Sequence, residues 1–426
     1  MILKEYKRIE EKLYIGQLDN GLTVKISPQI NAKKKYAYLC INFGAKNLEY
    51  YKNQEKIVLP HGTAHFLEHL MFQMKNKVDA MEIFSKQGAN ANAYTSYDST
   101  VYYFNTVSNF EKNLNLLLDL VYTLDCLDID VEEEKGIIEE ELKMSLDNPI
   151  DNLINGVVNN LYQDAYVNYE IGGTIESINK ITLEILKEAF TSFYTPKNME
   201  LIIVGNVDKE KVLEIIKNNQ AKKSFSKSTI TKIIEKYEYA SKVNKENDNK
   251  NMEIIMPKVA VSFKLMPDFA NSVDEFIFKK VYSIILSHYF SKISDNWQEM
   301  LDLELVSKEF DFNVYSYDDY RFVIFEASSY KPLEFVDYIY KKINEININE
   351  ISEDEFLIYK KALVGSEIRS LGNVGSIANN LAENCFKETE YFENLEKLEK
   401  IDLEMIKKAI KSIDKNTFTN YVIYPK

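Results

Sequence analysis

Three of the four histidines in this chain, His61, His65 and His69, fall within nine residues, and Glu68 lies directly before the last of them. An α-helix turns about 100° per residue, so side chains four positions apart share a face and can close on one ion. His65 and His69 have that spacing. Glu68, three residues after His65, borders the same face and can reach a water beside the ion without being a ligand itself. Neutral imidazoles suit zinc, and a position left open to solvent suits hydrolysis. His61 follows Pro60, belongs to the loop before the helix, and stays open as an alternative ligand. His288 is remote in sequence. An HxxEH string is only moderately specific alone, so the elements around it have to agree.

Those elements can be read from pattern. YIGQLDNGLTVKISP reads as two strands about an Asp-Asn-Gly turn, and KYAYLCINFGA as a third. GTAHFLEHLMFQMKN, 62–76, carries Phe66, Leu67, Leu70 and Met71 at helical spacing, which places the histidines on a helix. VDAMEIFSKQGA predicts a helix ending at Gly88, and ANAYTSYDSTVYYFNTV predicts strand. Helices follow over 110–126, 131–147 and 182–194, and then a buried strand, MELIIVGNVD. From 219 to 250 the composition turns to Lys, Ser, Asn and Glu, the signature of a linker. Beyond it, EIIMPKVAVSFKL, FIFKKVYSIILSHYFSKI and RFVIFEASSY repeat the strand, helix, strand succession, with helices at 332–347 and 352–371.

The expected fold is therefore α+β: two similar α/β halves, each a mostly antiparallel sheet packed with helices. The first half, 1–218, holds His61, His65 and His69; 219–250 links it to a metal-free second half, 251–426. A chain of 426 residues suits two cores. Its net charge of −14 argues against nucleic acid, which needs clustered Lys and Arg. No apolar run is long enough for a membrane span, and the N-terminal residues lack the apolar stretch of a secretory signal, which gives a cytoplasmic expectation. Cys40, Cys126 and Cys385 form no CxxC pair and read as buried thiols in a reducing compartment.

HGTAHFLEHLMF resembles the inverted zinc motif of the pitrilysin-like inverzincins, the family of insulin-degrading enzyme and the mitochondrial processing peptidase. The small bacterial members look most similar. In that family the last metal ligand lies on a later helix, and EKGIIEEELKMSLDNP resembles it. Aligned on Lys143 and Met144, the resemblance implies Glu141 as third zinc ligand, 72 residues after His69. Glu140 is its main rival. Glu134, about two turns earlier, matches an acid that supports a histidine or the metal. Glu132, Glu133, Glu139 and Glu140 otherwise read as a solvated helix face. GANANAYTSYDSTVYY resembles the edge strand that receives substrate, with Asn92 and Ala93 at the matching positions; the plain alternative for Asn92 is a turn cap.

The resemblance implies a zinc endopeptidase for small or unfolded peptides, the chain forming half of a clamshell chamber. Glu68 would act as base toward water and as acid toward the leaving amine. Family members active without help resemble one another in a second-half Arg and Tyr that contact the substrate carbonyl. Here the corresponding stretch is NWQEMLDLELVSKEF, with Ser307 near the tyrosine position and no arginine. The whole chain has only Arg8, Arg321 and Arg369; Tyr320-Arg321 is the one substitute at hand. This implies a heterodimer whose other subunit supplies the pair, with maturation of a ribosomally made peptide, by removal of its leader, as a candidate role. The rival class is a non-catalytic peptide-binding or structural subunit of the same superfamily.

Overall fold

A computed structural model describes residues 1–74, 78–225, 230–233, 237–347 and 351–426. Two compact units are present: Met1–Leu142 with Glu170–Ile234 and Arg369–Glu393, and Lys143–Tyr169 with Glu235–Ile368 and Asn394–Lys426.

The first unit is built on a seven-stranded sheet in the order Ile2–Tyr6, Glu11–Gln17, Thr23–Pro28, Met199–Gly205, Lys35–Ile41, Thr100–Thr106, Ala89–Thr95. Only Thr23–Pro28 and Met199–Gly205 pair in parallel. Successive side chains on a strand face opposite ways, and the central strands are apolar on both faces. Ala37, Leu39, Ile41, Leu201 and Ile203 join a core with the helices Thr63–Met71, Phe110–Leu120 and Leu183–Phe193. Tyr38, Cys40, Ile202 and Val204 face the other way, against the helix Val374–Glu383.

The second unit has a five-stranded sheet in the order Asn247–Met252, Thr419–Pro425, Lys258–Lys264, Tyr320–Ser328, Phe310–Tyr317. Val259, Val261, Phe263, Val323 and Phe325 pack with the helices Glu275–Phe290, Pro332–Glu345 and Leu403–Lys411. Ala260, Phe322 and Ile324 face the helix Pro149–Leu161. The expected α+β class holds, with mostly antiparallel sheets in both units.

The units interleave, unlike the consecutive division into 1–218 and 251–426. Each takes the helix on its second sheet face from a distant part of the chain: 374–383 for the first unit, 149–161 for the second. Parts of the expected linker are structured: Lys209–Gln220 is helix, and Ile230–Lys232 and Asn247–Met252 are strands, while 226–229 and 234–236 lie outside the described residues. The histidine helix ends at Met71, the last residue of its apolar pattern, short of the end of the 62–76 segment, because Gln73–Met74 pairs with Val78–Asp79; residues 75–77 lie outside the described set.

The cysteine expectation is corrected as well. Cys40 and Cys385 are joined in a disulfide across a separation of 345 residues, and only Cys126 is a free buried thiol. The pairing follows from the docking of Val374–Glu383 onto the sheet, which spacing along the chain cannot reveal. No described helix is long and apolar enough to cross a membrane.

Candidate metal centre

The helix Thr63–Met71 turns Phe66, Leu67 and Leu70 into the core, each no more than 1% exposed, which leaves His65 and His69 at its margin. Its start is fixed by a close approach. Gly62 has φ +88°, and a Cβ there would lie 2.4 Å from the Gly172 carbonyl oxygen, so only glycine fits. Ser177 Oγ donates to the His61 carbonyl at 2.8 Å and anchors the same entry from the 170–180 segment. His61 thus serves through its backbone here, and its side chain is not among the grouped donor atoms.

Across from it runs the acidic helix Asp128–Asp147, held by buried Val131, Ile138 and Leu142. Glu134 is buried with them; Glu141 is exposed at the edge of that face. Glu141 Oε2 lies 3.4 Å from His69 Nε2 and 3.9 Å from His65 Nε2. One donor atom from each of His65, His69 and Glu141 falls within 4.8 Å of the others, the only such group of three or more among the described residues. Ligands about 2.1 Å from a tetrahedral zinc stand about 3.4 Å apart; the His69–Glu141 separation matches that, and drawing the wider separations in would let the set hold a zinc ion with a position left open. The rival Glu140 is outside the group.

Glu134 Oε1 is 2.8 Å from His69 Nδ1, and Gln73 Nε2 donates to Glu134 Oε2 at 3.2 Å. A carboxylate on Nδ1 fixes the ring and leaves Nε2 as the free donor, an arrangement that metal-binding histidines use. His65 has a different environment. Its Nδ1 is buried without a hydrogen-bond partner, facing Gly172.

Electrostatics separate the two rings. Burial, reinforced by the charge of His69, pushes His65 down to about 4, so it is a neutral donor at working pH. Burial also disfavours charge on His69, but the Glu134 hydrogen bond and the charges of Glu141, Glu134 and Glu68 outweigh it and raise its pKa. Glu68 is buried and its pKa is raised by desolvation, with Glu141 adding to the effect and Thr95 and His69 opposing it. Thr95 Oγ1 donates to Glu68 Oε2 at 2.7 Å.

Asn92 and Ala93 lie on Ala89–Thr95, the outer strand of the sheet, opposite Tyr103 and Tyr102. Asn92 is exposed and its Oδ1 accepts from the Ala93 amide at 2.9 Å. In the second unit Tyr320 is buried, its ring 5.1, 5.0 and 4.6 Å from those of Tyr162, Tyr166 and Tyr237. Arg321 stands over the Phe278 ring with Asp319 at 3.7 Å. The Ser307 amide donates to the Ser328 carbonyl. Sequence reasoning missed Gln73 and Thr95. Gln73 gave no signal; Thr95 sat inside a quoted segment, but a hydroxyl in a strand is too common to single out.

Two imidazoles and a converging carboxylate, with a buried glutamate beside them, on helices backed by an antiparallel sheet, make a donor set that could hold a metal ion. Residues 59–177 match the family described as insulinase (peptidase family M16), and 180–363 match the peptidase M16 inactive domain. The chain is 31% identical over 409 residues to the uncharacterized zinc protease YmfH of Bacillus subtilis, covering 95% of each chain. It is 26% identical over 336 residues to the probable zinc protease PqqL of Escherichia coli, covering 75% of this chain and 34% of that relative. A solved putative M16-like peptidase from Alicyclobacillus acidocaldarius superposes with a TM-score of 0.89 at 25% identity, over 98% of this chain and 99% of that one. The first half of E. coli PqqL shares the fold, with a TM-score of 0.74 at 18% identity over 99% and 92%. The chain belongs to peptidase family M16, the pitrilysin-like metallopeptidases, and zinc is its metal.

Proposed function

We propose that this chain is a zinc endopeptidase subunit in which His65, His69 and Glu141 hold the metal, Glu68 is the proton carrier, and Glu134 orients His69. The observation that carries the reading is the donor triangle of His65, His69 and Glu141 with a buried glutamate beside it. Zinc supplies Lewis acidity when bound. Glu68 takes a proton from the attacking water and returns it to the leaving amine; burial raises its pKa, which makes it a stronger base once ionised and a usable acid in return. Glu134 keeps Nδ1 of His69 engaged, so that Nε2 faces the metal.

The edge strand Ala89–Thr95, with Asn92 and Ala93, is read as the place where peptide adds as a further strand. Small or unfolded peptides are the substrate class, with a leader peptide of a ribosomally made product as one candidate. The chain has three arginines, and Tyr320 and Arg321 are engaged within their own unit, which supports a heterodimer in which a related subunit brings the Arg and Tyr. The setting is read as cytoplasmic. The Cys40–Cys385 bond makes that testable, since cytosolic thiols keep most such pairs reduced: a bond persisting in protein trapped from intact cells contradicts it.

The deciding experiment co-purifies the chain with the product of its neighbouring gene and measures zinc-dependent cleavage of a peptide library with and without that product. The reading expects chelator-sensitive cleavage that needs the partner. No cleavage in either sample contradicts the peptidase, and partner-independent cleavage contradicts the heterodimer.

A further inference from the structure

The geometry points to Thr95 as the positioning residue for Glu68, an inference that rests on Glu68 being the base. Thr95 ends the edge strand and faces Thr100 across the hairpin. Each hydroxyl has one proton to give. Thr100, fully buried, spends its proton on the Phe43 carbonyl at 2.9 Å, although the two threonine oxygens are 3.4 Å apart. The Thr95 proton is thereby left for Glu68 Oε2, at 2.7 Å. A glutamate has three rotatable bonds, and a charge-assisted hydrogen bond to one oxygen holds the other where protons must pass.

Thr95 is itself held rigidly. In the turn that follows it, Ser96 N donates to Ser99 O at 2.8 Å, and Ser96 Oγ accepts from the amides of Asp98 and Ser99 at 3.2 and 3.1 Å. The loop after Phe43 grips this turn: Ala45 N donates to Ser96 O at 2.9 Å and Lys46 N to Tyr97 O at 3.1 Å. Gly44 makes the approach possible, because a Cβ there would stand 2.4 Å from Tyr97 O and 2.5 Å from Ser99 N. Strand end, turn and loop together form a mount for one hydroxyl. Because that hydroxyl belongs to the strand read as the peptide-receiving edge, docking of substrate and orientation of the base share one element.

The test uses zinc-loaded full-length chain, with the subunit that supports its activity, on a quenched peptide that the parent cleaves. Thr95→Val keeps shape and strand preference and removes only the donor; Thr95→Ser restores it. Thr95→Val is expected to lower kcat by about tenfold with KM within about twofold and zinc content at the parental level, and Thr95→Ser to recover to within about threefold. In the Glu68→Gln background, Thr95→Val should cost nothing more. A crystal structure of zinc-loaded Thr95→Val should show the Glu68 carboxylate in more than one rotamer. Unchanged kcat, a serine variant as slow as valine, an additive loss with Glu68→Gln, or a single parental Glu68 rotamer would each overturn the role of Thr95. Parental turnover by Glu68→Gln alone overturns the base reading, and this inference with it.

Discussion

Both units repeat one scheme: a central strand, a helix laid on the sheet, and a hairpin whose outer strand leaves an edge. In the first unit the helix is Thr63–Met71, nine residues, with Ala64, Phe66, Leu67, Leu70 and Met71 in the core and two histidines at the margin. In the second it is Glu275–Phe290, sixteen residues, whose Ile277, Phe278, Val281, Tyr282 and Ile285 fill the core. Its one histidine, His288, has Glu355 at 3.9 Å and Tyr289 and Tyr359 edge-on. The same architecture thus carries a donor triangle in one copy and packing in the other. What differs is a handful of polar side chains, which is why function is argued from the site and not from the fold.

The comparison breaks first at the histidines. His65→Ala should reduce bound zinc from about one ion per chain to less than about a tenth, because a two-donor remnant holds zinc poorly. His288→Gln should leave zinc content and cleavage at parental values. Elemental analysis of both variants decides this, and zinc lost from the His288 variant would erase the distinction between the units. Next comes Glu68→Gln, which should keep zinc but lower kcat roughly 10²- to 10⁴-fold, measured as single-turnover cleavage; near-parental cleavage sinks its role.

A smaller effect is expected from Glu134→Gln. Zinc affinity should weaken about 10- to 100-fold in a chelator competition, since His69 loses the carboxylate that holds Nδ1. Equal affinity would reduce Glu134 to a packing role. The smallest effect concerns protons. The pKa of His69 is raised, so in metal-free protein it keeps its proton to higher pH than an ordinary histidine, and zinc must displace it. Zinc affinity should therefore fall as pH drops, and uptake should be accompanied by proton release from His69, seen as a titration heat that varies with buffer ionisation enthalpy. His65, near 4, adds nothing to that release. A buffer-independent heat would contradict the assigned shift.

How much of this was legible in the sequence depends on range. His65, Glu68 and His69 lie within a single helix, so helical geometry alone joined them. Glu134 and Glu141 needed a family pattern, because nothing local says which acid of an acidic helix turns inward; burial of Val131, Ile138 and Leu142 sets that face. Buried strands such as Met199–Gly205 were plain from their continuous apolar character. The exchange of Pro149–Leu161 and Val374–Glu383 between units was not, nor was the Cys40–Cys385 bond it makes possible, since both arise from contacts hundreds of residues apart. The mount around Thr95 depends on a backbone approach at Gly44 that sequence does not record.

The most direct test of the central assignment is an anomalous diffraction map at the zinc edge from crystals of the zinc-loaded protein. A single strong peak about 2.1 Å from His65 Nε2, His69 Nε2 and a Glu141 oxygen is predicted. A map with no peak among those three side chains, or with its principal peak elsewhere, would contradict the assignment.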